Sequence, residues 1–399
     1  MTMPRFVQLH FLTAFPGVLL NRDDAGLAKR LTYGGAVRTR VSSQCLKRHW
    51  RTAADRWSLR EIGLPLSVRT REVFEYAIRP RVSDRLPGAT PEVIEAAGAA
   101  LSRALYGKKA DAVKNRQALL LGWREVDFLT EVVVRAVEEA DSPAAAGTGV
   151  EAAFKGKADK ANLDVMLKAA AEMGAGLEAA LFGRMVTADP KANTDAAIHV
   201  AHAFTVHEQE SETDYFTVVD DLRAAGEEDA GSAGIFDTEL TSGLYYGYVV
   251  VDVPLLVANL SGAAPEAWAA AETDRESAAK VVEHLIHLVA TVSPGAKKGS
   301  TAPYAYASSM LVELGDRQPR TLAAAFEQPV RGGRTGAIGE RAEDAMFARL
   351  SALDAAYGGG EARRFLSVLG RPRDGAGSPT SLDAMATWAA DGVRAAGVS

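Results

Sequence analysis

The sequence has one cysteine in 399 residues, Cys45, so no internal disulfide can staple the fold, and a lone thiol fits a reducing compartment. It has no run of 18 or more apolar residues, which excludes a membrane-spanning helix. The opening MTMPRFVQLHF lacks a basic stretch leading into a long apolar core and a small-residue cleavage site, so the expected location is cytoplasmic. It also lacks net positive charge: 45 Lys and Arg face 51 Asp and Glu, a net of −6. Spread evenly, that balance would argue against a polyanionic partner. No internal repeat is found.

Familiar catalytic patterns are missing too. The cluster GAKKGST at 295–301 has the wrong order for a phosphate loop, and Gly147-Thr148-Gly149 lacks the third glycine and preceding strand of a dinucleotide site. His199 and His207 share a strand face but lie eight residues, ~27 Å, apart, too far to hold one metal, and His202 falls on the other face. His284 and His287 stand three apart on a helix without evident acidic or cysteine ligands. No cofactor or metal is expected.

What is present is a concentration of charge. Residues 1–60 carry eleven Lys or Arg against three Asp, a local +8 that leaves −14 for the remainder. Ser42 and Ser43 are good caps for a helix running from Gln44 to about Trp57. At ~100° per residue, Gln44, Lys47, Arg48 and Arg51 fall within a third of the circumference, while Leu46, Trp50, Ala53 and Trp57 cluster opposite. The apolar side can dock on a sheet while the basic side looks outward. The helix start offers unpaired N–H groups, and Arg38 and Arg40, two apart on a strand, share a face that could approach it. Such a grip suits phosphates and reads no bases.

Strands are expected at 5–15, 37–41, 197–207, 213–219, 243–253 and near 303–314. Helical spacing marks 91–106, 111–122, 124–140, 160–182, 274–291 and 381–396, the last opened by Thr380. The Gly- and Ala-rich stretch 142–159 reads as a loop. The simplest architecture is a discontinuous α/β domain with strands at both chain ends and a helical insertion between them. The segment 208–239 carries eleven acids and one Arg, Arg223, so it is unsuited to gripping phosphates itself.

Seven pieces carry a family resemblance: LNRDD at 20–24, YGG at 33–35, RTRVSSQCLKR at 38–48, LFGRM at 181–185, HVAHAFTVH at 199–207, DYFTVVDDL at 214–222 and SPGAKKGS at 293–300. In this order the chain resembles the CasC family, the backbone subunit of the type I-E CRISPR Cascade complex. That resemblance implies an α/β (α+β) fold. Its RRM-like, ferredoxin-like palm spans 1–60 plus 181–399, a helical finger domain is inserted at 61–180, and a β-hairpin thumb occupies 205–240. It implies stacked copies along a guide crRNA, gripping its phosphate backbone without sequence specificity and leaving it free to pair with target DNA, beside other Cascade subunits and no membrane. Arg22, Lys29, Arg40, Ser42, Gln44, Lys47, Arg48 and Arg51 match palm positions that contact the RNA backbone. Arg184 and Met185 match a loop contacting RNA near a kink. Tyr215, Phe216 and Thr217 match thumb positions that wedge against displaced nucleotides. Arg38 and Ser43 join the RNA-binding set from the local reading of strand and helix start. Cys45 is given no chemistry. The family does not cut RNA, so no enzyme is expected; the alternatives are a ribonuclease using Asp23 or Asp24, or a stand-alone RNA-binding module.

Overall fold

A computed structural model describes residues 4–154, 175–185, 193–217, 235–296, 299–332 and 336–395. The chain divides into two compact units, one of 1–61, 199–252 and 279–399, the other of 62–198 and 253–278. The sequence reading placed 181–198 and 253–278 with the first unit; the second unit is thus made by two insertions. In the first unit, strand β1 (Phe6–Val18) is buried on both faces for most of its length. A hairpin of β2 (Arg30–Tyr33) and β3 (Ala36–Val41) turns on Gly34-Gly35. Gly34 has φ +58°, and a Cβ there would come within 1.7 Å of the Glu327 carbonyl oxygen, so only glycine fits. Helix α1 spans Ser43–Thr52. It ends earlier than expected because Ala53 turns extended (ψ 147°), and Trp57 leaves the helix to stack on His287 at 3.6 Å between centroids.

The second unit holds helices α2 (Arg79–Arg85), α3 (Pro91–Tyr106), α4 (Trp123–Glu138), α5 (Pro143–Phe154), α6 (Leu177–Phe182) and α7 (Val253–Ser261). A two-stranded sheet of β4 (Ser67–Thr70) and β5 (Leu119–Gly122) accompanies them. Its core packs Phe74, Ile94, Leu101, Leu129, Val133 and Phe154. The stretch read as a loop at 142–159 is helical over 143–154: Ala146, Val150 and Phe154, four apart, form its buried stripe. Its glycines allow close packing, since a Cβ on Gly149 would stand 3.1 Å from that of Ala136. The helix expected over 111–122 is instead a short 3₁₀ turn followed by β5. Of the helix expected at 160–182, all but its last residues lie outside the described ones.

Returning to the first unit, the strands are β6 (Ile198–Val200), β7 (Ala203–Thr205), β8 (Glu210–Thr217), β9 (Ile235–Asp252), β10 (Ser309–Gly315) and β11 (Ala362–Ser367). Helices α8 (Glu276–Thr291), α9 (Ile338–Tyr357) and α10 (Leu382–Arg394) complete the set; α10 is capped by Ser381, whose side chain accepts from Ala384 N, and not by Thr380. The sheet runs β11-β10-β1-β9-β7-β3-β2, with every pair antiparallel. Taking β1, α1, β7, β9, α8 and β10 in chain order gives a ferredoxin-like βαββαβ frame with strand order 4-1-3-2. One sheet face carries Leu12, Phe204, Tyr246, Leu311 and Phe365 against Phe326 and the α9 residues Met346, Phe347 and Leu350. The opposite face carries Phe11, Phe15 and Tyr245 beneath Leu46 and Trp50 of α1 and Val289 of α8, around a small apolar cavity. The α/β class and the apolar docking of α1 follow from the pattern; α9 and β11 have no counterpart in the sequence reading.

Candidate nucleic-acid interface

Helix α1 is positioned by its cap and its apolar side. The Ser42 hydroxyl accepts from Cys45 N (3.3 Å), Leu46 N bonds to Ser42 O (3.1 Å), and the first turn has no acid to oppose an anion. Leu46 and Trp50 are buried, leaving Gln44 and Arg48 exposed and Lys47 and Arg51 half-exposed. Burial lowers the Lys47 ammonium from its ordinary range, and burial raises the Cys45 thiol, which keeps it protonated and unreactive. Ser43 N donates to His202 Nδ1 (3.0 Å). Burial, then Arg40 and Lys29, lower the His202 pKa and favour the neutral ring that can accept this bond.

The loop before β2 is stitched to the same end of α1. Asn21 Oδ1 accepts from Ser42 N (2.9 Å), its carbonyl accepts from Lys29 N (2.8 Å), and Lys29 O accepts from Arg40 N (2.8 Å). These bonds gather exposed Arg22, half-buried Lys29 and half-buried Arg40 near the α1 start; Arg40 Nε also donates to Arg30 O (3.2 Å). Buried Glu239 braces the loop, accepting from Ala28 N and pairing with Arg30, both at 2.6 Å. Asp23 serves the loop as well: its Oδ1 accepts from Ala25 N and Leu27 N, each at 3.0 Å.

Three expected contacts are spent elsewhere. Arg38 is fully buried; Nη1 donates to Thr205 O (3.0 Å) and His207 O (3.4 Å), Nη2 to Phe326 O (2.9 Å) and Glu327 O (3.3 Å). It does share a face with Arg40, but the 326–327 backbone covers that face at residue 38. In the second unit Arg184 is buried, its Nη1 lying 2.7 and 2.8 Å from the two oxygens of buried Glu125. Met185 beside it is 71% exposed, its carbonyl held by Gln117 Nε2 at 2.7 Å. Ser42 is likewise buried, its hydroxyl committed to the cap.

Strand β8 pairs with β9 from Glu210↔Ser242 to Thr217↔Ile235, forming the hairpin expected at the thumb. Residues 210–216 are all exposed, including Tyr215 and Phe216; residues 218–234 lie outside the described residues, as do Lys297 and Lys298 of the Gly-Lys cluster. His207 is buried, donating from Nδ1 to Glu208 O (2.6 Å) and accepting at Nε2 from Leu244 N (3.1 Å). His284 Nδ1 donates to Trp57 O (2.9 Å). Among the described residues no group of three His, Cys, Asp or Glu could hold a metal.

A second cationic surface, in the inserted unit, was missed. Buried Arg116 donates to Ala110 O and Arg71 O, and Arg71 Nη1 reaches Lys114 O (3.3 Å), gathering exposed Arg69, Arg71, Lys108, Lys109 and Lys114 with the acid Asp111. Elsewhere in that unit Arg79, Arg81, Arg85 and Arg103 are paired with Glu95, Asp127, Glu131 and Glu151. The run GKKADAVKNR was the available signal, hidden by reading part of it as helix.

Residues 7–390 match the model of a family described as CT1975-like protein. The chain belongs to the CT1975-like family. This CT1975-like chain is similar to a solved chain of a "CRISPR RNA-guided surveillance complex, pre-nicking", with 25% identity and a TM-score of 0.74 over 96% of this chain and 100% of that one. A second solved chain, of a "CRISPR RNA-guided surveillance complex", shares the fold at 22% identity and TM-score 0.52, covering 95% of this chain and 92% of that one. No curated protein matches. Among the described residues, no helix of this CT1975-like protein is long and apolar enough to cross a membrane.

Proposed function

We propose that this protein is an RNA-binding subunit of a CRISPR RNA-guided surveillance complex of the Cascade type, and more finely its CasC-like repeating backbone subunit of type I-E. Copies stack along one guide crRNA, each holding a stretch of phosphates, and the guide's bases stay free to pair with target DNA. Sequence specificity then resides in base pairing, as in other RNA-guided effectors. The observation that carries this reading is α1: a capped helix start without an acid, flanked by Arg22, Lys29 and Arg40, with Gln44, Lys47, Arg48 and Arg51 on its outward side. Family membership and the likeness to a surveillance-complex chain support it. Purifying the protein natively and sequencing its bound nucleic acid tests it. RNA of repeat–spacer composition, protected in regular footprints, is expected; protein free of RNA that ignores added guide RNA at low salt would overturn it.

The protein is proposed to bind without cutting. In support, the Asp23 carboxylate is engaged with its own loop's amides, accepting from Ala25 N and Leu27 N. RNA cleavage by pure protein that vanished in Asp23→Ala or Asp24→Ala would establish the ribonuclease reading instead.

A further inference from the structure

The segment joining α8 to β10 presents two tyrosine rings to solvent. Tyr304 is 87% and Tyr306 75% exposed, while Pro303 and Ala307 are buried and Ala305 half-buried. This period-two alternation puts residues 303, 305 and 307 inward and both rings outward on one side. Ala305 lines the apolar cavity beneath α1. Among the described residues neither ring has a ring or hydrogen-bond partner, so each shows an open aromatic face.

The backbone carrying the rings is fixed. The Ser293 hydroxyl accepts from Ala305 N and donates to Ala305 O, both at 3.0 Å; Ala307 N bonds to Ala290 O and Ser308 N to Leu12 O, each at 2.8 Å. Two residues beyond Ser293, Gly295 N donates to His49 Nε2 on α1 (2.9 Å). The rings therefore stand on a rigid ledge tied to the helix whose outward side carries Lys47, Arg48 and Arg51. Residues two apart on an extended segment are ~6.7 Å apart. That is twice the ~3.4 Å rise of stacked bases, leaving room for one flat ring between two others.

We infer that Tyr304 and Tyr306 clamp one unpaired nucleobase of the strand whose phosphates lie on α1; this rests on the RNA-binding reading above. A cationic face beside open aromatic rings is the pairing by which proteins hold single strands, with phosphates on the cations and bases stacked on the rings. A second copy of this chain fits less well. Protein interfaces cover about 800 Å² per partner, and the apolar neighbours here are small, Ala302 and Ala305. The clamp accepts any base, because every base has a π-face, so it is compatible with a sequence-blind grip.

The test uses the full chain and mixed-sequence 32-nucleotide RNAs, each with a single 2-aminopurine at a successive position. Wild-type protein should bind them with salt-sensitive affinity and quench the probe at particular positions. Tyr304→Ala/Tyr306→Ala should weaken binding about 5- to 100-fold and relieve the quenching, with Tyr304→Phe/Tyr306→Phe restoring both. Unchanged quenching and affinity within twofold in the alanine variant would overturn the clamp while leaving RNA binding intact. Unchanged quenching with altered sedimentation of RNA-free protein would also overturn it, and would assign the rings to a contact between copies. Failure of wild type to bind any of the RNAs would remove the RNA-binding reading and the clamp with it.

Discussion

His49 joins α1 to the chain around Gly295 through both ring nitrogens. Nδ1 faces the Cys45 carbonyl at 2.8 Å, which can only accept, so Nδ1 carries the proton. Nε2 then offers a lone pair to Gly295 N at 2.9 Å. Replacing His49 by alanine leaves the Gly295 amide without this acceptor. Because the exposed Gly295 amide can turn to water, His49→Ala should cost only about 0.5–1.5 kcal/mol of stability. Hydrogen exchange should accelerate at Gly295 and its neighbours but not in β1 or β9; uniform acceleration would instead mean global loosening.

Arg38 makes the opposite prediction from the basic residues around it. Its guanidinium donates to four main-chain oxygens, so Arg38→Met should remove all four bonds, leave a cavity lined by polar atoms and destabilise the protein by about 3 kcal/mol or more, although His207 O keeps the Thr205 hydroxyl as a donor. RNA affinity, measured on the fraction that remains folded, should change little. A large affinity loss at full stability would put Arg38 back among the RNA contacts.

The outward cations of α1 should behave as phosphate ligands. Arg48→Gln and Arg51→Gln should each reduce the slope of log affinity against log salt by ~0.7 for single-stranded RNA. The loss should be alike for unrelated sequences, because backbone contacts carry no base information. Titrations of two dissimilar RNAs at four salt concentrations would decide it, and a loss confined to one sequence contradicts the model.

Acidification should destabilise the fold in two stages. Burial lowers His10, despite Glu313 at 3.2 Å, and burial lowers His287 from its ordinary 6.5 to about 4. Both rings stay neutral when folded and take up protons when unfolded, so stability falls as pH drops from about 6.5 toward 4. Burial alone would raise the Glu313 carboxyl, but bonds from His10 and Arg320 hold it well below the usual range; its contribution is lost only at lower pH still. His287→Phe, which keeps a ring against Trp57, should remove one proton's share of the slope, ~1.4 kcal/mol per pH unit. Urea midpoints from pH 7 to 4.5 measure this.

Much of the frame was legible because periodicity reports which side is covered. The burial of Leu46 and Trp50 and the 91–106 helix follow directly from spacing. Periodicity is silent on what covers a face, which is why Arg38 and Arg40 looked equivalent. Polar residues inside a buried stripe hide helices: Glu343 of α9 sits in the core among Ala342, Met346 and Phe347, held by Arg373 and Ser367. Glycine misled at 147–149, where it serves close helix packing and not a turn. The family resemblance assigns Arg184 to RNA; only its distance to Glu125 reveals the pairing.

The order of the strands along the chain has a cost during synthesis. β1 emerges first, yet its sheet neighbours β9 and β10 begin at Ile235 and Ser309. At ~5–20 residues per second, the 216 positions between Val18 and Ile235 take on the order of 10–40 s to translate. For that interval the apolar FVQLHFLTAF strand has neither of its central-sheet partners, and the non-local pairing that follows is slow. The nascent chain is therefore most vulnerable to aggregation before residue 252 leaves the ribosome, and it is over that window that a holding chaperone would matter most.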